Sequence, residues 1–323
     1  MKRVLFLIAA LLMAIPQTAL AGAIISTGII NIHRADSLWT HGPERIYTLD
    51  AAPGSEDMLL PFVSIEARFG NRDKSPLGSG FAGGRPKGPY REIYIGAPQS
   101  EWGKIGVGLR DYRPGRGTLN GFIHIMPYRE VWENPYLIGV ERSTTGSVQY
   151  GTKLEWEGIV DSGLSVAFNY DGLDVDNDII GAIEPALKRD GDTYGIETAY
   201  RFRIAKTFSI EPKVSLNIGD MKGSANSFNY YRYSLSIKRF TRKHIVNIRL
   251  FATSRDYDEA HPIFGRARQE EGSGVFAMLL LPGAFGKRNM SAYIGAIYGE
   301  TDSNIDFFDT HQAMVFAAAG FRL

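Results

Sequence analysis

The sequence predicts an all-β protein, a single closed antiparallel transmembrane β-barrel of about fourteen strands, with twelve as the alternative count. Three observations predict it. Segment after segment alternates apolar and polar residues, the period of a strand whose successive side chains point to opposite faces. An export signal stands at the N-terminus. Short and long connections alternate through the second half of the chain, as periplasmic turns and outer loops do in bacterial barrels.

The signal begins with Lys2 and Arg3, continues through the apolar stretch Val4 to Ile15, breaks at Pro16 and reaches Ala19-Leu20-Ala21. A charged start, an apolar centre and a small-residue cleavage site read as a secretory signal peptide. The expected organisation is therefore residues 1–21 as signal and 22–323 as one barrel domain. The apolar run is shorter than the ~20 residues of a spanning helix, and no Cys follows that would carry a lipid anchor. The zero cysteine count also excludes disulfide frameworks, thiolate zinc sites and thiol nucleophiles. Lys plus Arg is 36 against 35 acidic residues, a formal charge of +1; losing Lys2 and Arg3 takes it to −1. That balance carries no nucleic-acid footprint.

The strands are expected in the following order. Ala23 to His33, Phe62 to Phe69, Arg91 to Ile95, Lys104 to Arg110 and Leu119 to Met126 alternate weakly or briefly. Ser147 to Glu157 is the clearest, with Val148, Tyr150, Thr152, Leu154 and Trp156 on one face and Gln149, Gly151, Lys153, Glu155 and Glu157 on the other. Leu164 to Tyr170, Tyr194 to Phe202 and Thr207 to Ile218 follow; Pro212 in the last predicts a bulge, because proline gives the ladder no donor. Tyr231 to Ile237, Val246 to Ala252 and Met290 to Tyr298 alternate again, whereas Val275 to Leu281 does not and is assigned from its position alone. Long connections are expected at Tyr128 to Thr145, Leu173 to Asp190, with a short helix inside Ile179 to Arg189, and Arg255 to Glu271. The Gly/Pro-rich segment Asn71 to Tyr90 is long on the predicted periplasmic side, which is what leaves twelve strands as the alternative.

A soluble β-sandwich would turn its apolar face inward. Here the polar face holds full charges of both signs, suited to a wet lumen, and the apolar face carries Trp156, Tyr200, Phe202, Tyr231 and Tyr233, suited to interfacial girdles. Ala313, Val315, Ala317, Ala319, Phe321 and Leu323 resemble the closing recognition strand of outer-membrane barrels, with Leu323 where an aromatic residue is usual.

The string EVWENPYLIG, Glu130 to Gly139, followed by KLEWEGIVDSGLSVAFNY and taken together with REIYIGAP, DGLDVDND and DTYGIETAYRF, resembles an uncharacterised family of proteobacterial outer-membrane barrels known only as a domain of unknown function. The resemblance covers most of the mature chain. It implies a secreted outer-membrane β-barrel and supplies no catalytic residues.

If the apolar face meets lipid, Glu66, Arg68, Lys104, Arg110, Lys153, Glu155 and Glu197 line the lumen, together with Arg201, Arg203, Glu211, Lys213, Arg232, Lys238 and Arg249. Basic members outnumber acidic ones. Lining a pore, they favour anionic solutes; paired across the lumen, they form a plug. Trp132 and Tyr136, with Tyr128 and Pro135, form an aromatic loop that is either a constriction, a sugar-stacking surface or a packed rim. Asp174, Asp176 and Asp178 are spaced as oxygen ligands for a hard cation, but Ile179 and Pro185 occupy the Gly and Glu places of the calcium loop, so a solvated acidic loop is expected.

A lipid-modifying enzyme needs a histidine base with a serine or acidic partner at the outer rim, and none of the six histidines lies in such a motif. The expectation is thus a passive channel for small solutes, anions favoured, with a plugged structural or surface-interaction barrel as the alternative and a lipid-modifying enzyme as the third reading. No cofactor, metal or nucleic acid is expected. The expected surroundings are outer-membrane lipid, lipopolysaccharide and the barrel-assembly machinery.

Overall fold

The computed structural model describes residues 20–70, 90–96, 105–287 and 289–322. The predicted signal segment through residue 19, the segment 71–89, Lys104 and Leu323 lie outside the described residues. Strands run as β1 (Leu20–Ala35), β2 (Ser55–Gly70), β3 (Tyr90–Gly96), β4 (Ile105–Arg113), β5 (Gly117–Trp132), β6 (Thr144–Glu157) and β7 (Leu164–Val175). β8 is one strand in two collinear pieces, Gly191–Tyr200 and Phe202–Ala205. β9 (Phe208–Met221), β10 (Phe228–Phe240), β11 (Ile245–His261), β12 (Arg266–Pro282), β13 (Met290–Ser303) and β14 (Thr310–Arg322) complete the chain.

Each strand pairs antiparallel with its sequence neighbours, and β14 pairs with β1 from Ile24↔Arg322 to Ala35↔His311, so the ring of fourteen closes without an edge. Closure matters physically, because a backbone group left unpaired in hydrocarbon has no water to satisfy it. The register puts the apolar alternates outward: Leu154, Phe168, Ile196, Val214 and Leu235 are exposed on the outer surface. Near the short-turn end Trp156 Nε1 donates to the Arg116 carbonyl at 2.7 Å, holding the indole at that rim. Tyr150, Tyr170 and Tyr194 form an outward row nearer the loop end, with ring centroids 6.5 and 5.5 Å apart.

Three expectations need correction. Pro212 makes no bulge: it pairs in register with Leu235 of β10, and on the β8 side the ladder only lapses between Ile210↔Phe202 and Lys213↔Ala199, keeping the same offset. The missing N–H interrupts bonding without inserting a residue. The long loop expected at Arg255 to Glu271 is instead the far ends of β11 and β12 around a turn at 262–265. Tyr128 to Thr145 is likewise shorter than expected, because β5 runs on to Trp132 past a register shift between Met126 and Arg129. These strand ends exceed the ~9 to 11 residues needed to cross a membrane. They stand in water or against other loops, so no lipid-facing alternation marks them.

Candidate functional site

The inward positions divide into two walls. On β6 to β11 they are ionic and polar. Glu197 accepts from Lys153 Nζ at 2.9 Å on one oxygen and from Lys213 Nζ at 2.7 Å on the other. Glu211 accepts from Arg201 Nε at 2.6 Å and from Lys238 Nζ at 3.0 Å. Each carboxylate therefore sits between two cations, and Glu155 and Glu157 lie close enough to act on the same cations. Asp171 is engaged by His124 Nε2 at 2.9 Å and Gln149 Nε2 at 3.2 Å.

Arg249 donates from Nε to Ser236 Oγ at 3.2 Å, and the Arg232 guanidinium lies 4.5 Å over the Phe251 ring. Among the described residues neither arginine has a carboxylate at ion-pair distance. Both line a cavity of about 210 Å³ with Lys153, Glu197, Lys213 and Tyr230. Elsewhere Arg110 Nε donates to Asn120 Oδ1 at 2.8 Å, and Glu66, Glu155 and Arg203 hold inward register positions. Arg68 lies in β2, opposite Gly22 and Tyr94.

The second wall, on β12 to β14 and β1, is apolar over its middle. Its inward residues include Phe276, Met278, Ile297, Met314, Phe316, Ile30 and Ile32. Sequence reasoning missed it, although a signal was present: Val275 to Leu281 fails to alternate because both of its faces are apolar. Aromatic rings here lie flat against the wall over glycines. A Cβ at Gly274 would overlap the Phe251 ring, and one at Gly295 the Phe316 ring, so the absent side chains keep both rings off the barrel axis.

The loop rim carries a core of its own. Ile305, Phe307 and Phe308 are buried and pack with Ile46, Leu49, Tyr136 and Phe264; Ile180, Leu187 and Ala225 form a second cluster that also touches Tyr136. Tyr136 is common to both. Its ring lies 5.1 to 6.4 Å from those of His261, Phe264, Phe307 and Phe308, and its hydroxyl is 3.0 Å from His261 Nε2. Loss of water there raises the tyrosine pKa to about 12 and lowers that of His261 to about 4. Since Tyr136 emerges between β5 and β6 and Phe307 between β13 and β14, the segment 133–143 crosses the mouth to the far side of the ring.

Backbone and buried charge hold that crossing in place. Gly139 N–H donates to Ile46 O at 2.8 Å and Arg142 N–H to Glu44 O at 2.9 Å. The buried Arg142 guanidinium stacks 4.1 Å over Trp132 and donates to Ser37 O at 3.0 Å, Pro135 O at 3.2 Å and Pro43 O. Trp132, 2% exposed, is therefore unavailable to stack on a sugar. Glu133 accepts from Ser143 and Asn177, which lowers its pKa.

Asp178 caps the short helix α1 (Ile179–Ile183) through Gly181 N–H at 3.3 Å and binds Arg189 Nη2 at 2.6 Å. Asp174, Asp176 and Asp178 do not converge, and among the described residues no group of three or more acidic or histidine side chains could hold a metal ion.

A closed antiparallel ring with an apolar belt and a charged interior defines an outer-membrane β-barrel. Residues 22–322 match the model of the family described as "Protein of unknown function (DUF2860)", and the chain belongs to that family. No curated protein matches it. Among solved structures it is similar to the outer membrane channel DcaP of Acinetobacter baumannii, at 10% identity and a TM-score of 0.41 over 93% of this chain and 98% of that one. It is also similar to an anion-selective porin from Comamonas acidovorans, at 9% identity and a TM-score of 0.42 over 93% and 98%, and to OpdQ of Pseudomonas aeruginosa, at 11% and 0.37 over 94% and 98%. These likenesses extend to barrel architecture and no further.

Proposed function

We propose that the chain is a narrow diffusion channel of the outer membrane that favours small anions, with the crossing segment 133–143 as its constriction. The observation that supports this reading is the pair Arg232 and Arg249, which face the cavity without a carboxylate partner among the described residues. Fixed positive charge on a low-dielectric wall raises the local concentration of anions and lowers that of cations. The test is charge reversal: Arg232→Glu with Arg249→Glu in planar bilayers is expected to move ion preference toward cations, and an unchanged preference overturns the reading.

A second reading, a plugged structural barrel, is favoured by the loop core that joins opposite sides of the mouth through Tyr136. It predicts no current from the intact protein and current after the Tyr136 contact is removed.

A further inference from the structure

The two walls meet at a seam, and the seam selects a kind of solute. Ser236, Arg249, Phe276, Ile297, Met314 and Ile32 are successive register partners across β10, β11, β12, β13, β14 and β1. Along this line of neighbours, which climbs from the turn end at Ser236 toward the loop end at Ile32, the lining passes from a hydroxyl and a guanidinium directly to four apolar side chains. Those four are only half buried, so part of each remains open to the interior. Two residues nearer the loop rim, Phe251 lies over Gly274 and carries the Arg232 guanidinium on its ring, which puts a second cation beside the same seam.

A hydrated inorganic anion gains from the arginines but leaves the apolar wall unused, and an uncharged apolar solute does the reverse. A molecule with a carboxylate on one side and a compact apolar body on the other engages both, since the guanidinium fork matches a carboxylate and apolar contact adds in proportion to the area removed from water. Resting on the reading of the lumen as an anion-favouring passage, we propose that the seam is a binding site for small amphipathic carboxylates, of which benzoate is a minimal probe. The carboxylate sits at Arg249 and Arg232, and the ring lies along Phe276, Ile297 and Met314.

The experiment measures both binding and current. Radiolabelled benzoate is equilibrated with the full-length barrel in nanodiscs, with empty nanodiscs subtracted, and competed with unlabelled benzoate, inorganic phosphate or the neutral isostere benzamide. Saturable binding is expected, with phosphate and benzamide each requiring at least about tenfold more than benzoate to displace it, as the loss of one charge-assisted contact or one apolar contact implies. Arg249→Gln and Met314→Ser are each expected to weaken binding about tenfold, and Arg249→Lys, which keeps the charge but loses the fork, to weaken it less than Arg249→Gln does.

Competition by phosphate or benzamide equal to that by benzoate overturns the proposal, as does the absence of saturable binding to a barrel whose heat-modifiable migration shows it folded. Planar-bilayer recordings on the same preparation separate the two readings. Saturable, selective benzoate binding without current sinks the channel and leaves the site standing. Anion current with no selectivity among the three competitors does the opposite.

Discussion

Replacing Tyr136 with Ala tests whether the segment across the mouth is a packed structure. The ring touches four aromatic neighbours within 6.4 Å and its hydroxyl meets His261 at 3.0 Å. Truncating a packed aromatic side chain of this size costs about 3–5 kcal/mol where the site cannot collapse. Loops relax more readily than strands, so the lower end applies, about 3 kcal/mol, or roughly a hundredfold in the local opening equilibrium. Hydrogen exchange reads it directly: the amides of Gly139, Arg142 and Phe308, bonded to Ile46, Glu44 and Ile305, should exchange about a hundredfold faster, while those of β7 to β9 stay unchanged. Tyr136→Phe, which loses only the hydroxyl contact, should show about a fivefold effect, the equivalent of ~1 kcal/mol. Unchanged exchange at Gly139 and Phe308 in Tyr136→Ala would refute the packing argument.

Other consequences follow from the same geometry. Glu197→Gln leaves Lys153 and Lys213 without their shared carboxylate; it should cost about 1–3 kcal/mol of thermal stability and move the reversal potential further toward the anion limit. Gly274→Ala overlaps the Phe251 ring and the Tyr298 carbonyl, so single-channel conductance should fall as the ring swings inward, with an overpacking cost of about 1–3 kcal/mol. His261 stays neutral in the cap down to about pH 4, below its ordinary value of 6.5. An opened cap therefore binds the proton first, so cap stability is complete above pH 6.5 and declines as pH falls toward 4. Exchange at Phe308 measured across that window, corrected for intrinsic rates, should accelerate on acidification, and His261→Gln should abolish the dependence.

The alternation of apolar and polar residues carried the strand order, because lipid on one side and water on the other impose a period of two that no loop imitates over ten residues. Ser147 to Glu157 and Tyr194 to Phe202 were legible for that reason, and so was the face on which Lys153, Glu197 and Lys213 sit. Their pairing was not. Lys153 and Glu197 lie two strands apart, and which residues share a level depends on shear, a property of the closed ring rather than of any segment. The apolar wall escaped notice because the lumen was expected to be wet and charged throughout; the failure of Val275 to Leu281 to alternate was its trace. Trp132 and Tyr136 stood out by composition, but their burial depends on loops that emerge between β1 and β2 and between β13 and β14, which no local pattern announces.

The central claim is that the lumen passes small anions in preference to cations. The most direct measurement is the reversal potential of the wild-type barrel in a planar bilayer under a tenfold potassium chloride gradient. A potential of the sign set by chloride, a substantial fraction of the ~59 mV limit for a single charge, is the predicted result. A potential of the potassium sign, a value at zero, or a folded barrel that passes no current contradicts it.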